Sequence, residues 1–468
     1  IVLITSIRLK RNMRKEMFNH EINILRDTYR RLLRRNAKIN LIKLNGKTHP
    51  ADLAEVFRHF SEQEQVEIFS LMNENGHTAE FLVELDDSLV IELLKNESFD
   101  RIAAIIEKAP INDQSGILNI LGHEKAQPII ELLNADEQEE IAEIMGYPDD
   151  SAGALMNTEV FTLHESITAG KAIKTLQDQE GAEMVFYLYI TDDDDRLVGV
   201  ISLRTLTTTS SSTTLKDIMI KNIHSIRPET DQEEVARIVA QYNFLAVPVL
   251  DSDSRLLGIV TVDDVVDVIR EEATEDFLRM AGAGKDREIL LKSSWENAKA
   301  RLPWLFASWI GGVAAASLIG IFEDMLVNII ALAAFIPVIL GMGGNIATQS
   351  STIIVRGMAT GRVNIGGEIK LIFKEIKVGL ILGVLYGVLL GLFAKLTFPD
   401  EPKNLGFVVG LSICVSMLVA ATVGTIIPLL LRKLDIDPAI ATGPFVTTSI
   451  DILGVLFYFI IAGSFLKV

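Results

Sequence analysis

The run AIATGPFVTTSIDILGVLFYFIIAGSFL, from Ala439 to Leu466, decides what kind of protein this is. It is apolar for longer than the roughly 20 helical residues that cross a hydrocarbon core. It also holds a single charge, Asp451, far from either end. An ionisable carboxylate at that depth is costly, so it is seldom kept without an ion, a partner or a water-filled path. Four more stretches upstream are long and apolar enough to span: Pro303–Phe322, Met325–Gly344, Val378–Leu396 and Leu405–Leu431. Pro337 and the following glycines are expected to break the second near its inner end, leaving Gly344 and Asn345 in a turn. No ordinary soluble core needs five such runs in succession.

Charges between the runs sort by side. Arg301, Arg356, Arg362, Lys370, Lys374, Lys377, Arg432 and Lys433 flank the ends that alternate to one side, and Glu323, Asp324, Asp400 and Glu401 lie on the other. The excess of basic residues on cytoplasmic loops then predicts a multi-pass protein of the cell (inner) membrane, N-terminus cytoplasmic and C-terminus outside. Gly379, Gly383, Gly387 and Gly391 recur every four residues, a flat stripe that lets a neighbouring helix come close.

The two halves differ in charge. Residues 301–468 hold 11 of the 44 Lys and Arg and 9 of the 62 Asp and Glu, which leaves 33 basic against 53 acidic residues in 1–300. So acidic a front half argues against nucleic acid as a partner and favours cations. Cys414 is the only cysteine, which excludes a disulfide within the chain and fits a reducing compartment. The opening IVLITSIRLKR is too short for a signal peptide, so the acidic half is expected to stay in the cytoplasm. The chain opens on Ile1 rather than Met, and a native start elsewhere is expected, with Met13 and Met17 as alternatives.

Within the front half the chain repeats itself. RLVGVISLRTL from Arg196 returns as RLLGIVTVDDV from Arg255, and ALMNTEVFTLHESITAGKAI from Ala154 is matched by DIMIKNIHSIRPETDQEEVARI from Asp217. Each copy reads as an extended start, a helix, two short β-rich runs and a second helix. Ahead of them, 49–150 carries amphipathic segments such as PADLAEVFRHF and FDRIAAIIEKA, the pattern of stacked helical hairpins. Residues 14–35 read as one charged helix within an N-terminal extension, 1–48. A connecting helix over 271–300 leads into the membrane half, 301–468, and the copies occupy 151–208 and 209–270.

Both copies resemble the cystathionine-β-synthase (CBS) module, which works in pairs. The order of parts, together with PVILGMGGNIATQSSTIIVRGMATG (Pro337 to Gly361), RLPWL at Arg301, DPA at Asp437 and SIDILG at Ser449, resembles the MgtE family of magnesium channels. The fold implied is a multidomain membrane protein: an all-α N domain, a tandem α/β CBS pair, a connecting helix and a five-helix all-α transmembrane domain. The resemblance assigns Asp451 to a central Mg²⁺ site and implies a homodimer, in which two such carboxylates flank a largely hydrated ion. Mg²⁺ suits that arrangement because it gives up its waters reluctantly. Asn345 and Gly344 either offer an amide and carbonyls to the pore or simply end the helix in a turn. Thr447 and Thr448 offer hydroxyls, although a hydroxyl one turn back in a helix more simply bonds its own backbone.

In the front half the resemblance points to Glu233, Asp264, Asp267, Glu272, Glu275 and Asp276 as ligands of regulatory Mg²⁺. Like charges gathered on helix faces repel unless a cation neutralises them, so high cytosolic Mg²⁺ is expected to draw these faces together and close the pore. Asn243 and Gly116 stand where the family has acids, which predicts weaker sensing or a shift to higher Mg²⁺. Tyr187, Arg204 and Phe244 match an ATP site, but Thr205 replaces the Asp expected to hold the ribose, which argues against ATP. A membrane-bound CBS sensor without permeation and a proton-coupled divalent cation transporter stay open as alternatives. A chloride channel with CBS domains fits poorly, since there the CBS pair follows the membrane part. No arrangement of residues points to an enzyme.

Overall fold

The computed structural model describes residues 20–73, 76–178, 186–283, 293–361, 363, 368–434 and 436–466. The chain divides into two units, Ile1–Val268 and Ile269–Val468.

In the first unit the charged helix expected over 14–35 is seen over 20–34, and residues 14–19 lie outside the described residues. Among the described residues nine short helices follow, from Lys38–Asn45 to Ala135–Ile144. Side-chain caps start several of them. Ser61 and Glu64 form a reciprocal capping box, Ser98 accepts from the Arg101 amide, and Asn134 accepts from the Glu137 amide. Phe99–Ile106 shows why the stack forms: Ile102, Ala103, Ile105 and Ile106 all fall on one face and are buried. The stack shares one continuous core with the second repeat, through Val235, Val249, Val260 and Val265.

The first repeat holds strands β1 (Thr162–His164), β2 (Tyr187–Thr191) and β3 (Leu197–Ser202), with β1 parallel and β3 antiparallel to β2. The second holds the antiparallel pair β4 (Ala246–Leu250) and β5 (Leu256–Thr261). Its extended start shrinks to one bridge, Ile226 to Val249. The repeats exchange their first segments: Asn157 bridges Ile259 in β5, and Ile220 bridges Val200 in β3. Met219 presses on Gly199, and Met156 and the Asn157 carbonyl press on Gly258, so that a Cβ at either glycine would crowd them. Those paired Met and Gly positions are the duplicated motif made visible.

One helix, Val262–Met280, leaves β5 and runs unbroken through the expected boundary at 270. The start expected at Glu271 moves back to Val262, and the helix ends at Met280, just before the interruption expected at Gly282–Gly284. A new helix begins at Ser294, and 284–292 lie outside the described residues.

Five helices of the second unit are long and apolar enough to cross a membrane: Ser294–Ile321, Ala331–Ala359, Glu368–Thr397, Leu405–Lys433 and Pro444–Leu466. They are called here the first to fifth spans. The second corrects the expected Met325–Gly344. Glu323–Asn328 is a separate short helix, and the span continues straight through Gly341–Gly344. Backbone in lipid must satisfy its own hydrogen bonds, so glycine inside a span is better kept helical than opened into a turn. The glycine stripe of the third span packs on the fourth. A Cβ at Gly387 would lie 2.6 Å from the Gly410 oxygen, and one at Gly410 would lie 2.5 Å from the Gly387 oxygen. The opposite face, with Ile381, Val388 and Leu392, is exposed apolar surface suited to lipid.

Candidate ion pathway and cation-sensing faces

Asp451 sits one residue after Ile450, which is buried against the second span; a Cβ at Gly343 would lie 3.0 Å from the Ile450 side chain. The second and fifth spans run antiparallel here, since Tyr458 lower in the fifth donates to the Leu332 carbonyl at 2.8 Å. Gly344, Asn345 and Asp451 therefore lie at one depth of the bundle. The Asp451 carboxylate is partly buried and has neither hydrogen bond nor ion pair among the described residues. Among the described residues no Lys or Arg pairs with it.

The flanking threonines divide. Thr447 donates to the carbonyls of Gly443 and Pro444, both at 3.3 Å, so its hydroxyl is spent on its own helix. Thr448 packs against Gly311 of the first span so closely that no Cβ would fit there. In the second span, Ile346, Ala347, Ser350, Ser351, Ile354 and Val355 are buried, while Gly341, Asn345 and Gln349 lie on the exposed face. A stripe of amides four apart on an apolar helix is out of place against lipid. Gln349 escaped the sequence reading, although its spacing from Asn345 was visible.

In the first unit, Asp264 caps its helix by accepting from the Thr261 amide at 3.4 Å and from the Thr261 hydroxyl. Burial pushes its carboxyl up to about 6, with Asp263 adding to the rise and the Thr261 bonds opposing it. Facing it is Asp113 of helix Ile111–Leu121, raised to about 7 by burial and then by the charges of Asp264, Asp263 and Glu80. No sequence pattern marked Asp113, because the approach of the N domain to the repeat is tertiary. Asp267 and Glu233 are exposed on their helices.

In the second unit, Glu272, Glu275 and Asp276 are partly buried. Burial and then Glu272 raise Asp276, against Arg279 and Arg356. Arg279 pairs with both Glu275 and Asp437, the residue that caps the turn Pro438–Thr442 ahead of the fifth span. Gly282, in the left-handed region at φ +68°, ends the helix beside Pro444. The end of Val262–Met280 is thus tied to the foot of the span that carries Asp451.

Among the described residues no three or more His, Cys, Asp or Glu side chains are gathered to hold a metal ion. Asn243 adopts the left-handed conformation at φ +55° that caps helix Gln232–Tyr242, a place Asn fills readily. Gly116 is exposed with open space where a side chain would stand. At the nucleotide positions, Thr205 is held by Ser202 through its amide and hydroxyl, and Phe244 stacks with Tyr242 at 5.4 Å.

A family model described as a divalent cation transporter, MgtE, matches residues 336–461. The MgtE intracellular N domain matches 48–150, and CBS domains match 152–211 and 215–271. A magnesium transporter MgtE of Bacillus subtilis is 33% identical over 93% of this chain and 96% of its own. The chain belongs to the MgtE family of magnesium transporters. MgtE proteins of Enterococcus faecalis and Thermus thermophilus are 39% and 37% identical, over 71% and 73% of this chain and 73% and 76% of theirs. Among solved structures, the cytosolic domain of the Mg²⁺ channel MgtE in complex with ATP matches 52% of this chain and 99% of that one, at 31% identity and a TM-score of 0.50. The soluble part of a magnesium transporter matches at 29% identity, over 54% of this chain and 99% of its own, with the same TM-score. This MgtE-family chain is thus a membrane transporter with a CBS regulatory pair, and its homologues are transporters rather than enzymes.

Proposed function

We propose that this chain carries Mg²⁺ into the cell beside Asp451, and that cytosolic Mg²⁺ closes the path. One observation carries the reading: a carboxylate in the middle of an apolar span with no basic partner among the described residues. Such a group is tolerated where a hydrated cation offsets its charge. One carboxylate cannot cage Mg²⁺, so a second copy of the chain supplies another across the Asn345 and Gln349 face. The ion keeps its waters between them. The C-terminus lies outside and the acidic half in the cytoplasm.

Closure begins where carboxylates crowd. Mg²⁺ bound by Asp113 and Asp264 relieves their repulsion and holds the N domain on the repeat pair. Glu233, Asp267, Glu272, Glu275 and Asp276 offer further carboxylates along the same route. Helix Val262–Met280 passes that state to the fifth span through Arg279 and Asp437. The ATP held by the solved relative does not carry over, because Thr205 offers a neutral hydroxyl already bonded to Ser202.

Proteoliposome uptake tests this. Mg²⁺, Mn²⁺, Co²⁺ and Ca²⁺ are offered with and without a pH gradient while Mg²⁺ is titrated on the cytoplasmic face. Uptake that ignores the pH gradient and falls as cytoplasmic Mg²⁺ rises is expected. Uptake that rises with cytoplasmic Mg²⁺, or that needs the gradient, overturns the reading.

A further inference from the structure

Glu375 is the only charged side chain among the described residues that is fully buried, at 4% exposed. It lies in the third span, whose neighbouring faces present Ile369, Phe373 and Leu380 outward. Its one hydrogen-bond partner among the described residues is Ser350 of the second span, whose hydroxyl donates to Glu375 Oε2 at 2.9 Å. Ser350 is itself 2% exposed. No ion pair accompanies the contact among the described residues.

Most other span hydroxyls behave differently, Tyr458 with its bond to the Leu332 carbonyl near the far end of the second span excepted. Ser317, Thr422, Thr425, Ser449 and Ser464 each donate to the carbonyl four residues back on their own helix, and so fix nothing between helices. Ser350 reaches across to a carboxylate, an acceptor that makes a stronger bond than a neutral oxygen. Around Ser350 the buried face of the second span is made of small and aliphatic groups, Ala347, Ile346 and Ile354, so the Ser350 bond is the directional polar contact on that part of the helix. Ser350 stands five residues after Asn345, roughly 140° around the helix. A bond that holds Ser350 inward therefore holds Asn345 outward.

We infer that Glu375 is a positioning residue for transport: through Ser350 it sets the rotation of the second span, and with it the direction in which Asn345 faces. The inference rests on the reading that the Asn345 face lines the ion path. Glu375 itself takes no ion.

The test uses full-length protein in proteoliposomes. Glu375→Ala, Glu375→Gln, Ser350→Ala and the double alanine variant are compared for Mg²⁺ uptake. Each is also combined with Asn345→Cys on a Cys414→Ala background and probed with a membrane-impermeant methanethiosulfonate. Glu375→Ala and Ser350→Ala are each expected to lower the maximal rate about fivefold with KM within about twofold, and the double variant to add little. Glu375→Gln keeps an acceptor for Ser350 and is expected to restore most of the rate. Modification at position 345 should slow in the alanine variants and recover with Gln.

Wild-type rates in both alanine variants overturn the inference. So does a Gln variant as impaired as Ala with a raised KM, which would make Glu375 an ion ligand. If Glu375→Ala does not run as a single species on size exclusion, Ser350→Ala carries both readouts. Failure of the pathway reading looks different: Asn345→Ala transports normally, while the Glu375 and Ser350 variants still lose rate together.

Discussion

In the front half acidic side chains stand together. Asp113 feels Asp264, Asp263 and Glu80, and burial with that crowding holds its carboxyl near neutral pH. In the membrane half they stand apart, Asp451 without a hydrogen bond or ion pair and Glu375 with only Ser350 among the described residues. The difference separates two uses of one functional group. On the proposed reading, crowded carboxylates store repulsion that a cation can discharge, the part of a sensor. On the same reading, isolated ones in an apolar bundle serve as a waypoint for a cation or as a fixed strut.

The sharpest break of this contrast is at Asp451. Replacing it by Ala is expected to reduce Mg²⁺ uptake by about 100-fold at limiting Mg²⁺ while leaving the protein folded. Uptake within a factor of about two of wild type would falsify the waypoint role. Next comes the crowd. Asp113→Asn with Asp264→Asn should raise the cytoplasmic Mg²⁺ that halves uptake by about tenfold, read in the same liposomes. An unchanged midpoint would place the sensing elsewhere.

Arg279→Ala removes a partly buried pair with Glu275 and Asp437, so closure should become incomplete. Residual uptake at saturating cytoplasmic Mg²⁺ should rise by about fivefold, the scale of a single partly exposed ion pair. If residual uptake stays at the wild-type level, the tie is passive.

The smallest effect is thermal. Asp113 and Asp264 have folded-state values raised to about 7 and about 6, so their contribution to stability is full below about pH 4 and is lost as pH rises through those values. Without divalent ions the full-length protein in detergent should unfold its front half at roughly 3–6 °C higher at pH 5 than at pH 8. Saturating Mg²⁺ should erase most of that gap. A front half more stable at pH 8 in the absence of divalent ions would mean the crowding is not felt.

Much of this was legible in the chain because its signals are local. Five apolar runs, the doubled RL-x-G motif and the amphipathic periodicity of 49–150 all depend on neighbours within a few turns. The expected turn at Gly341–Gly344 misread the same kind of signal: glycines that break helices in water are held helical in lipid, and the span runs on to Ala359. Glu375 was passed over for a related reason. The span was expected to begin at Val378, and a carboxylate among Lys370, Lys374 and Lys377 reads as flanking charge until the helix is seen to begin at Glu368.

By itself the order of residues determined the membrane half, the acidic half, the repeat pair and the lone acid in the last span. Each follows from hydropathy, charge or spacing along a single segment. Only the tertiary structure decided that Asp113 meets Asp264, that Arg279 ties to Asp437 and that Ser350 reaches Glu375. Those pairs lie 151, 158 and 25 residues apart in the chain, and the interaction of two charges depends on their distance in space and the dielectric between them, neither of which a sequence states.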